Sequence, residues 1–127
     1  MTSPAPDWTI EDHLRGASAE SVALFRRVQS TLESFGPTTA SVSKSSVTFK
    51  GSRRGFAGAR PTANGVVGYL DLMRQLPDDR RIRSISPYGS NLFVHHYRLA
   101  DAGDLDDDFI GWLREAYAVG CGAHLLG

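Results

Sequence analysis

Histidines and cations are the residues of this chain whose types and spacing could do chemistry. His95 and His96 are adjacent in the run Leu92 to Leu99, so on a strand they face opposite ways. Phe93, His95, Tyr97 and Leu99 then share one face, and Leu92, Val94, His96 and Arg98 the other. A general acid or base needs a cleft and an orienting partner, and nothing local supplies one. His95, flanked by aromatic residues, is therefore expected in the core, desolvated and hydrogen-bonded, and no catalytic residue is assigned. The enzyme alternative is a small pocket made by Tyr69, His95 and Tyr97.

The cations give the stronger signal. From Phe35 to Leu70 there are five of them (Lys44, Lys50, Arg53, Arg54, Arg60) and no Asp or Glu, although the chain balances 14 Lys and Arg against 14 Asp and Glu. The compensating acids cluster from Asp101 to Glu115. Guanidinium forks match phosphate oxygens, so Lys44, Lys50, Arg53, Arg54, Arg60 and Arg98 are candidates for binding a nucleic acid or a phosphate-bearing ligand, chiefly through a basic hairpin around Arg53 and Arg54. The same cations also fit two roles that need no anionic ligand. Lys and Arg guard edge strands against aggregation, and a basic hairpin on one copy could meet the acidic helix of another in a homo-oligomer.

Several function classes are excluded or disfavoured. No GxxxxGK[ST] string is present, and Gly120-Cys121-Gly122 lacks the third glycine of a dinucleotide fingerprint. Ser41-Val-Ser-Lys44 lies in a strand region without the companion motifs of an acylating serine. Cys121-x-x-His124 offers two metal ligands where a structural zinc needs four, so no metal or other cofactor is expected. One cysteine cannot form an internal disulfide, and no signal-peptide pattern or membrane-length apolar run is present, which points to the cytoplasm.

These residues must be positioned by one domain spanning 1–127, with a flexible lead at 1–7 and a tail at 121–127. Thr9 caps a short helix through about Leu14, and Ser18 caps a long one whose Val22, Phe25, Val28, Leu32 and Phe35 line one face until Gly36-Pro37 stops it. Short β-branched and aromatic runs follow near 38–43, 46–50, 55–60, 66–72, 81–85 and 91–99. Gly51 to Arg54 and Asn64-Gly65 read as tight turns, which favours an antiparallel meander. The polar stretch Arg74 to Arg80 reads as a mobile loop. A second long helix is expected from Asp104, burying Leu105, Phe109, Trp112, Ala116 and Val119. The fold class is α+β: a mostly antiparallel sheet of five to six strands with an N-terminal and a C-terminal helix packed on one face.

With the segments laid out, the chain resembles a bacterial family, domain of unknown function 5655, through WTIEDHL at 8–14, VSKSSVTFKGSRRGFAGARP at 42–61, GYLDLMR at 68–74, RIRSISPYG at 81–89, LFVHHYRL at 92–99 and DLDDDFIGWLREAYAVGCGAHL at 104–125. The likeness runs over nearly the whole chain. It implies no catalytic residue, since the family carries no assigned activity.

Overall fold

The computed structural model describes residues 9–89 and 91–125, the His124 side chain excepted. The expected lead at 1–7 and the last two residues of the expected tail lie outside the described residues, as does the His124 side chain of the Cys-x-x-His pair.

Helix α1 (Ile10–Leu14) opens on a capping box in which Thr9 and Asp12 each bond the other's backbone N–H. Helix α2 (Ala19–Ser34) begins where the Ser18 side chain accepts from the Ser21 N–H. It ends at Gly36, whose φ of +153° and contact with the Tyr117 hydroxyl leave no room for a Cβ. Six strands follow, β1 (Thr39–Val42), β2 (Val47–Lys50), β3 (Gly55–Thr62), β4 (Gly65–Leu72), β5 (Ile82–Tyr88) and β6 (Leu92–Leu99), and α3 (Asp107–Gly120) closes the fold. All strand pairs are antiparallel, in the order β1-β2-β3-β4-β6-β5, so the fold is α+β.

The meander breaks at its last step. β6 inserts beside β4 and leaves β5 at the edge. The strand sequences account for this order. β5 carries Arg83, Ser84, Ser86 and Pro87, and a proline that cannot donate to a ladder suits an edge, whereas β6 brings Phe93, His95, Tyr97 and Leu99 to a sheet interior.

Both long helices pack on one sheet face. Leu24, Phe25, Val28 and Leu32 of α2 and Phe109, Leu113, Ala116 and Val119 of α3 meet Val47, Phe49, Ala59, Val66, Leu70, Leu72, Tyr97 and Leu99. A register shift at Phe49/Lys50 leaves Phe56 as an extra residue of β3, and its ring turns to the helices, edge-on to Tyr117 and against Gly120.

In α3 two expectations are corrected. The helix starts at Asp107 with Asp106 as its cap, because Ala102–Asp104 forms a separate 3₁₀ turn. Leu113, fully buried, takes the core position expected of Trp112, which is half-buried on the flank with the Arg81 guanidinium 4.9 Å from its ring centroid. Residues one apart on a helix differ by 100° in direction, and the packed arc runs through 109, 113 and 116.

The connection from β4 to β5, expected to be mobile, is tied down along its length. Arg74 makes two hydrogen bonds to the Glu115 carboxylate, Leu76 is buried, and Arg80 pairs with buried Asp104. Arg81, 6% exposed, grips both oxygens of Asp79 and also reaches Asp106 and the Asp104 carbonyl. Its hydrogen bonds hold the Asp79 carboxyl down at about 2. Burial alone would raise Asp104, but Arg80 and the Ala100 N–H keep it below the usual carboxylate range.

Candidate functional site

Because both helices cover one face, the other face of the sheet lies open, and strand register determines what it displays. Arg60 on β3 pairs with Val67 on β4, which pairs with Arg98 on β6. Arg83 sits in the register shift of β5 beside them. At about 4.8 Å per strand, Arg60 and Arg98 stand about 10 Å apart along the row, and Arg83 is one strand further, displaced along its strand towards His96. Two residues along the strands, about 7 Å away, runs a second row: Thr48, Gly58, Tyr69, His96 and Ser84. Arg60, Arg83, Arg98, Tyr69 and His96 line an open groove of about 720 Å³, with Ser45 and Ser46 of the β1–β2 turn at its side.

The groove is electrostatically one-sided. Asp71 is the only Asp or Glu in the six strands. It is 3% exposed, and Arg54 donates to it at 2.6 Å. Among the described residues six of the 14 Lys and Arg side chains form ion pairs, namely those at 15, 26, 54, 74, 80 and 81. Arg60, Arg83 and Arg98 are not among them. Arg98 donates to the Asn64 carbonyl at 2.9 Å, which orients the fork without neutralising it.

Tyr69 lies on the face rather than in the core. Its hydroxyl donates to Thr48 Oγ1 at 3.3 Å, and its ring crosses Gly58, where a Cβ would come within 2.3 Å of ring carbon Cε1. Glycine at 58 makes the seat for that ring.

The structure separates the other candidates. Lys44 precedes Ser45 and Ser46 in the β1–β2 turn, at the groove's margin, and Lys50 ends β2 away from it. The Arg53 and Arg54 backbone N–H groups donate to the Gly120 carbonyl at 2.8 and 3.1 Å, so the hairpin tip caps the end of α3. Arg54 is further committed to Asp71 and lies 5.5 Å from the Tyr88 ring centroid. Arg53 is exposed, with its stem against Gly122.

Tyr69 and His95 are on opposite faces, so the pocket of Tyr69, His95 and Tyr97 is not assembled. His95 is fully buried. The Leu76 N–H donates to Nε2 at 3.1 Å, so the proton sits on Nδ1, which donates to the Phe93 carbonyl at 3.0 Å. Burial pushes its pKa below the ordinary histidine value. Tyr97, 2% exposed, donates to the Gly58 carbonyl at 2.9 Å, and burial pushes its hydroxyl pKa up. Both side chains are structural. Among the described residues no group of three or more His, Cys, Asp or Glu is gathered that could hold a metal ion. No helix among them is long and apolar enough to cross a membrane.

Arg83 is not singled out by sequence because it lies outside the acid-free stretch and joins the groove only through a strand-order change and a register shift. The one signal for it was the polarity of β5 beside Arg98 and His96.

A family model described as Domain of unknown function (DUF5655) matches residues 10–120. The chain belongs to this family. No curated protein and no solved structure matches it. The DUF5655 match runs from α1 to the end of α3, so every residue lining the groove lies within it.

Proposed function

We propose that this DUF5655 domain is a cytoplasmic, non-enzymatic binding module for an anionic, phosphate-bearing partner, which it holds on the open face of the sheet. One observation carries the reading: Arg60, Arg83 and Arg98 meet around a groove whose strands hold a single carboxylate, already paired with Arg54. This moves the site from the hairpin tip, whose backbone caps α3, to the sheet. Self-association through the acidic helix is the weaker alternative, because Asp104 and Asp106 are engaged by Arg80 and Arg81 of the same chain.

The test is a titration at low salt against single-stranded DNA, RNA and a nucleotide panel, followed by fluorescence anisotropy or amide shifts. Charge-assisted hydrogen bonds contribute about 1.5–3 kcal/mol each, so Arg60→Gln and Arg98→Gln should each weaken binding about tenfold or more. With the single strands each should also lower the salt slope by about 0.7, while Arg53→Gln changes affinity less than about twofold. Absence of binding to every member of the panel overturns the proposal.

A further inference from the structure

The two rows of the open face differ in chemistry, and that difference goes beyond an affinity for phosphate. Arg60, Arg98 and Arg83 stand on three different strands, β3, β6 and β5, spread over about 15 Å of the face, where a pocket for one phosphate would gather its cations around a point. One side-chain row from Arg60 and Arg98, and next to Arg83, Tyr69 and His96 are direct cross-strand partners. The Tyr69 ring is seated on Gly58 and lines the open groove. A cationic track beside aromatic side chains is the arrangement that holds single-stranded nucleic acid, the cations following the backbone and the rings stacking on bases.

Resting on the reading above, we infer that the partner is a single-stranded nucleic acid lying across the strands, its phosphates along Arg60, Arg98 and Arg83 and a base stacked on Tyr69. An acidic peptide would satisfy the cations but leave the ring row without a partner. A duplex presents phosphates but keeps its bases stacked on one another. The Tyr69 ring, as part of the groove lining, therefore sets the preference for unpaired strands.

The experiment uses the full chain and a fluorescein-labelled 12-nucleotide single strand, the duplex of the same sequence, a nucleoside monophosphate and inorganic phosphate. The single strand should bind at least about tenfold more tightly than the duplex. Tyr69→Leu should lose about five- to a hundredfold in single-strand affinity with its salt slope unchanged, because stacking is not a counterion-release contact. Arg60→Gln should lose affinity and lower the slope by about 0.7, the single-strand increment per phosphate.

Should Tyr69→Leu fail to fold, the wild type still decides, because base stacking shifts the Tyr69 ring protons upfield during titration. Equal binding of duplex and single strand, an unaffected Tyr69→Leu, or unmoved Tyr69 resonances would overturn this inference and leave the phosphate reading standing. So would binding of the monophosphate or inorganic phosphate without the strand. Binding of none of the four overturns both.

Discussion

Replacing Arg81 with methionine tests whether the segment between β4 and β5 is held as the hydrogen bonds indicate. The guanidinium donates four hydrogen bonds, two to Asp79, one to Asp106 and one to the Asp104 carbonyl. Bonds to charged groups contribute about 1.5–3 kcal/mol each, but these share one donor group and do not add. The Asp79 and Asp106 side chains are 24% and 48% exposed, so both carboxylates can rehydrate once the cation is gone. Methionine keeps apolar contact with Phe109 and Trp112 while losing the cation–π contacts, about 0.5–2 kcal/mol. The net loss should be about 2–4 kcal/mol, against a typical total of about 5–15, and Tm should fall on the order of 10 °C. Arg81 also makes the loss depend on pH. Asp79 is depressed to about 2 in the folded protein, so its stabilisation is present above the unfolded value and lost as pH falls from about 4 towards about 2. The gap between wild type and Arg81→Met should therefore be widest near neutral pH and narrow below about pH 4. Urea unfolding at pH 7 and at pH 3.5 measures both quantities. A difference under about 1 kcal/mol at pH 7, or one unchanged at the lower pH, would refute the reasoning.

His95 has a depressed folded pKa, so the unfolded chain takes up its proton first: stability should hold above about pH 6.5 and decline as pH falls through that value. His95→Phe should flatten this decline while costing about 1–3 kcal/mol at every pH for the unpaired Leu76 N–H, and a wild-type-like acid limb in the variant would count against it. Leu113→Ala should cost about 2–5 kcal/mol, whereas half-buried Trp112→Ala should cost less, about 1–2; the reverse order in denaturant melts would put the wrong face of α3 on the sheet. Gly68→Ala would place a Cβ on the Gly58 carbonyl oxygen and 2.7 Å from the Tyr97 hydroxyl, so it should destabilise by at least about 1–3 kcal/mol, and an unchanged melt would refute the β3–β4 register.

What the sequence made legible was local. Strand positions followed from alternation and from turns such as Gly51 to Arg54, and both long helices from their caps and apolar spacing. What it hid was carried by partners distant along the chain. The Arg74 to Arg80 stretch reads as solvated because it is polar and the partners that fix it lie far along the chain: Arg74 finds Glu115, Arg80 finds Asp104 and Leu76 finds His95. Trp112 and Leu113 both fit an apolar helical stripe, and only the packing of α3 on the sheet, through Phe109, Leu113 and Ala116, shows which one turns inward. Of the site candidates, Arg60 and Arg98 were visible as cations on alternating strands. Their meeting with Arg83 required β6 to insert beside β4 and leave β5 at the edge, a long-range choice for which the polarity and Pro87 of β5 are the one local cue.

That insertion also accounts for how a chain of zero formal charge sustains a basic face. The ion pairs are formed by helix ends, loops and the Arg54–Asp71 contact, and they draw the acids of the α3 end towards Arg80 and Arg81 rather than towards the sheet. Arg60 and Arg98 remain as like charges on one surface, held apart by the strand that carries Val67. At about 10 Å in water their repulsion is only about 0.4 kcal/mol, so leaving them uncompensated destabilises the fold little. An anion entering between them lies closer to each than they lie to one another, and its attraction to both exceeds that repulsion. Arg83, on the adjacent strand, is kept from standing directly opposite Arg98 by the register shift, so the face is tolerated when empty and favourable to fill.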